Sequence, residues 1–79
     1  MMPLCMAVPG QPLIVTGFRG GFGMRRRLAD LGLNIGMDVR VVSMDPCGPL
    51  LIDIKGTRYA IGRGLAMHVF VEPVAVMSH

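Results

Sequence analysis

The sequence predicts a mainly β fold, a small barrel of about five short strands with one α-helix after the first strand. Two observations carry this expectation. Runs of five to seven residues rich in Val, Ile and Leu recur along the 79 residues, separated by Gly- and Pro-containing turns, and short strands that cover one another's edges imply closure. A single stretch, residues 20–36, has helical spacing of its apolar residues and is bounded by glycines.

The elements follow in order. Residues 1–8 are apolar and without turn chemistry, suited to a short strand or to covering one end of the barrel. Pro9-Gly10 reads as the centre of a type II turn, with Pro at the second position and Gly at the third. Residues 13–19 are expected to form the strand that follows this turn, and Gly17 inside it predicts a bulge or a close backbone contact. In the helix, Met24, Leu28 and Leu31 fall at i, i+4 and i+7 and make its dry face. Arg25, Arg26 and Ala29 face elsewhere. Gly32 stands where a left-handed C′ residue belongs, with Leu28 and Leu33 as the apolar pair of a Schellman motif.

Asn34-Ile35-Gly36-Met37 reads as a second type II turn. Strands are then expected at 38–44, 50–55, 57–61 and 68–72. The Asp45–Pro49 loop between the first two of these holds two prolines, which cannot donate to a ladder. Lys55-Gly56-Thr57 is a tight hairpin turn, and residues 62–67 have room for one turn of helix. That insertion before the last strand, together with the length, favours an SH3-like over an OB-like barrel. The domain is placed at residues 1–73, with 74–79 as a tail. Nothing repeats at a solenoid period.

Composition bounds the function. A chain this short buries only about 60–65% of its unfolded surface, yet 52% of its residues are hydrophobic. Some of that surplus is expected at the surface as a patch, the usual mark of a partner site. Net charge is +3, and all of the eight basic residues but Lys55 are Arg, the side chain better suited to carboxylate and protein contacts. No apolar run reaches the ~18 residues of a membrane span, and the first residues lack the charged start of a signal peptide. The expectation is a cytoplasmic protein without membrane insertion.

Catalysis finds little support, because no Ser-His-Asp or Cys-His pair has local context and the five acidic residues are spread one to an element. An enzyme is not expected. The glycines before the helix match neither phosphate-binding pattern. His68 and Glu72 share a strand face but stand about 13 Å apart, too far to hold one ion. Cys5, Cys47, His68 and His79 could meet only through folding or across a dimer, so no metal ligand and no cofactor is assigned. Cys5 and Cys47 are expected as free thiols. The Arg25-Arg26-Arg27 run with Arg19 is the basic cluster. Single-strand binding by small barrels also needs aromatic platforms, and Phe22, Tyr59 and Phe70 are expected in the core, so nucleic acid is disfavoured.

The chain also resembles the FeoA family. Pro9-Gly10, the run Arg27-Leu28-Ala29-Asp30-Leu31-Gly32-Leu33, Gly36, Gly48-Pro49-Leu50 and the glycine-punctuated run from Gly56 to Ala66 carry the resemblance, which spans roughly residues 3–73. It implies an SH3-like barrel and a small cytoplasmic accessory protein of bacterial ferrous iron uptake. It implies a partner as well, the FeoB permease with its cytosolic GTPase domain. The alternative it leaves is a metal-responsive or nucleic-acid-linked module of the iron-dependent repressor type, and the chain has no helix-turn-helix ahead of this domain. Contact with the partner is expected through Met24, Arg25 and Arg26 on the helix and Met44, Cys47 and Pro49 around the loop. Arg27 is expected to lie flat and bond loop carbonyls. An exposed apolar patch could equally drive a homodimer.

Overall fold

The computed structural model describes residues 1–74. Its elements are β1 (Met2–Pro3), a 3₁₀ turn (Leu4–Met6), β2 (Pro12–Phe18), α1 (Phe22–Asp30), β3 (Asp38–Met44), β4 (Leu50–Ile54), β5 (Thr57–Ile61), α2 (Arg63–Ala66) and β6 (Val69–Pro73). The strands form one antiparallel six-stranded sheet in the order β1-β6-β2-β3-β4-β5. The sixth strand is the two-residue β1, so the opening segment serves as a strand and, through the 3₁₀ turn, places Leu4 wholly inside the core. The hydrogen-bonded order ends in β1 and β5.

Period-two alternation fills the interior. Leu13 and Val15 of β2, Val39 and Val41 of β3, Leu50, Ile52 and Ile54 of β4, and Val69 and Val71 of β6 are all buried. Their intervening neighbours point outward, as successive strand residues must. Leu28 of α1, Ala66 of α2 and Leu33 complete the same cluster. Two bulges bend the sheet. In β2 the register slips between Val15 and Gly17, leaving Thr16 to donate its Oγ1 hydroxyl to the Phe70 carbonyl at 3.3 Å. In β3 the slip falls between Val41 and Ser43.

The turns obey the chemistry of their residues. Gly10 and Gly36 take φ +87° and +91° at the third positions of their turns, closed by Gln11 N–H to Val8 O and Met37 N–H to Asn34 O. The C-terminus of α1 is a Schellman motif: Gly32 N–H donates to Ala29 O and Leu33 N–H to Leu28 O, both at 2.9 Å. The β4–β5 hairpin turns on Lys55 and Gly56, both with positive φ, the conformation of a type I′ turn. The final strand begins at Val69 and not at His68, whose N–H is spent on Leu65 O in the turn after α2. Of the tail expected at 74–79, Val74 donates to Pro12 O at 3.1 Å, and the rest lies outside the described residues, His79 included.

Candidate interaction surface

Helix α1 is held at both ends by backbone. At its entry Arg19 N–H donates to His68 O at 2.7 Å. Gly20, at φ +114°, brings the chain against the turn after α2, where a Cβ would stand 3.3 Å from Met24 Cβ and 3.4 Å from His68 Cδ2. At its exit Leu28 is fully buried, with Met24 and Leu31 half-buried beside it. The predicted dry face is therefore the face that packs.

The opposite face carries Phe22, Arg25, Arg26 and Ala29, all exposed. Arg19 and Arg27 are exposed as well, and none of these four arginines makes an ion pair or a side-chain hydrogen bond among the described residues. The one ion pair there joins the Met1 amino group to Glu72, 3.6 Å apart. Of the six expected contact residues, Arg25, Arg26, Cys47 and Pro49 are exposed, whereas Met24 and Met44 are half-buried and pack against the core.

The helix and loop residues make two groups. The Asp45–Pro49 loop is shaped by Asp45, whose Oδ1 accepts the Cys47 N–H at 3.0 Å and whose carbonyl accepts from Arg63 Nη2 at 2.9 Å. The loop is thus tied to α2, and no hydrogen bond among the described residues joins it to α1. Bonding a loop carbonyl, the role expected of Arg27, falls to Arg63.

Phe22 corrects a second expectation. It is 93% exposed and not in the core. As the first residue of α1 it stands four before Arg26 and seven before Ala29, on the solvent side of the helix. The same spacing that sets Met24, Leu28 and Leu31 inward sets Phe22 outward, so the signal was present in the sequence. Tyr59 and Phe70 are half-buried.

Two depressions open on the surface. One, of about 260 Å³, lies between the two helices and is lined by Arg27, Asp30, Leu31 and Leu65. The other, of about 350 Å³, opens beside the β4–β5 hairpin, with Asp38, Arg40, Asp53 and Lys55 among its lining. Its charges alternate in sign across paired strands, with Arg40 opposite Asp53, and one Asp53 oxygen already accepts the Gly56 N–H at 2.8 Å. Among the described residues no three His, Cys, Asp or Glu side chains gather as a metal site. Cys5 is half-buried and Cys47 exposed, both as free thiols, and His68 Nδ1 lies 2.8 Å from Gly64 O. No helix of the described residues is long and apolar enough to cross a membrane.

A small antiparallel β fold with one buried-face helix, its outer face basic, defines the class: an SH3-like β domain. The FeoA domain model matches residues 2–73, and the chain belongs to the FeoA family. It is 43% identical over 72 residues to "Putative Fe(2+) transport protein A" of Methanocaldococcus jannaschii, covering 91% of this chain and 87% of that one. It superposes on the crystal structure of an iron uptake regulatory protein, FeoA, with a TM-score of 0.87 at 38% identity, covering 92% of this chain and 97% of the other. The zinc complex of Stenotrophomonas maltophilia FeoA, described as a prokaryotic SH3 domain protein, gives a TM-score of 0.76 at 28% identity, with 91% of each chain covered. Likeness to the manganese regulator SloR, at 16% identity, shows the fold alone.

Proposed function

We propose that this chain is a non-enzymatic accessory of ferrous iron uptake that docks, on the cytosolic side of the membrane, on an FeoB-type permease. Membership of the FeoA family supports the transport role. The observation that supports docking is the outer face of α1, where Arg25 and Arg26 stand exposed and make no ion pair among the described residues. Surface arginines without an intramolecular partner are available to form charge-assisted hydrogen bonds with a carboxylate, because no existing pair must first be broken. The Asp45–Pro49 loop, with Cys47 and Pro49 exposed, is the second contact in this reading.

A titration of the purified protein against the permease in detergent, and against its cytosolic domain, tests it. Saturable binding that falls at least about tenfold in the Arg25→Glu/Arg26→Glu variant is expected, since each reversed rim charge replaces an attraction by a repulsion. Circular dichroism of the variant should be unchanged, both side chains being exposed. Binding unaffected by the double reversal would remove α1 from the contact, and absence of binding to the full permease would overturn the docking reading.

A further inference from the structure

We infer that Phe22 is the apolar anchor of the α1 surface and that the segment it meets is an acidic stretch of protein bearing at least one aliphatic side chain. This rests on the docking reading above and names the chemistry of the partner at that surface. Three observations converge on it. Phe22 is 93% exposed as the first residue of α1. Its position is set by the Arg19–His68 hydrogen bond and the close approach of Gly20 to His68. Met67, in the turn after α2 that the entry of α1 meets through His68, is itself 57% exposed.

Around Phe22, Arg19, Arg25 and Arg26 are exposed and unpaired among the described residues. An aromatic side chain ringed by arginine is the composition of an interface hot spot, and the charge complement of that ring is carboxylate. The exposed phenyl ring itself calls for an apolar side chain on the partner, since only such a group removes it from water at a gain. An anionic bilayer is bound by a continuous apolar helix face, whereas the outer face of α1 offers Phe22 as its large apolar side chain among arginines, and single-stranded nucleic acid would want several aromatic platforms where this face has one. The depression lined by Arg27, Asp30, Leu31 and Leu65 belongs to the packed side of α1 and takes no part.

The test uses the isotope-labelled protein and three probes: a peptide of glutamate and alanine with a central leucine, the same peptide with lysine for glutamate, and vesicles of phosphatidylserine and phosphatidylcholine. Amide shifts of residues 19–29 should saturate with the acidic peptide below about 1 mM, weaken as salt is raised, and be absent with the lysine peptide. Phe22→Ala should weaken the acidic peptide, and the permease if it binds, at least about fivefold with an unchanged melting temperature. No saturable shift at α1 with the acidic peptide, a response to vesicles in its place, or an unaltered Phe22→Ala affinity overturns the inference even where the permease binds. Wild-type protein that binds the peptide at α1 but not the permease keeps the inference and overturns the docking reading.

Discussion

Gly32 and Lys55 both take left-handed backbone, and only one of them is glycine. Gly32, at φ +91°, has open space where a Cβ would be, so a side chain there meets no neighbour and the whole penalty is conformational. Gly32→Ala should therefore cost about 1 kcal/mol, read from urea denaturation, with the Schellman bonds loosened and not lost. Lys55, at φ 53° before Gly56, carries that penalty already. Asparagine adopts the left-handed region more readily and Asn-Gly is the preferred type I′ pair. Lys55→Asn should raise stability by about 0.5 kcal/mol, seen as a higher denaturation midpoint at constant slope. Both the helix cap and the hairpin turn were legible in the sequence, because a glycine in left-handed backbone leaves its mark on residue type alone.

Arg63 connects two elements that the sequence keeps 18 residues apart. Its Nη2 holds the Asp45 carbonyl at 2.9 Å while its buried Nε has no partner among the described residues. The gain of one charge-assisted bond is set against the cost of one unsatisfied donor, both on the order of 1–3 kcal/mol. Arg63→Met removes both and keeps the apolar stem. Global stability should stay within about 1 kcal/mol of wild type, whereas the Cys47 and Gly48 amides should exchange with solvent markedly faster. This tether was invisible in the sequence, where Arg27 looked the better candidate. Helical spacing says which way a side chain points but not which loop passes beneath it. For the same reason α1 could be drawn from Met24, Leu28 and Leu31, while its outer face was misread at Phe22 by assuming that aromatic residues go inside. The exposure of Phe22 obeys the helix period and overrides hydrophobicity, which is why it marks a site.

Over the whole molecule the core is thin. A chain of 79 residues is stabilised by about 4–12 kcal/mol, and Leu28 is the fully buried side chain through which α1 joins the sheet. Leu28→Ala should cost 2–5 kcal/mol, enough to leave a substantial unfolded fraction at 37 °C by circular dichroism; the milder Leu28→Met should keep the fold. Sheet order was the part of the architecture least legible beforehand. Strand lengths and turns constrain which neighbours pair through hairpins, as β3, β4 and β5 do, but local sequence does not reveal that β6 inserts between β1 and β2. That placement governs how the protein comes into being. Without residues 69–73, β1 has no partner strand and β2 keeps only β3. Pairing β2 with β6 closes a loop of more than fifty residues, and non-local β pairing of this kind takes milliseconds to seconds.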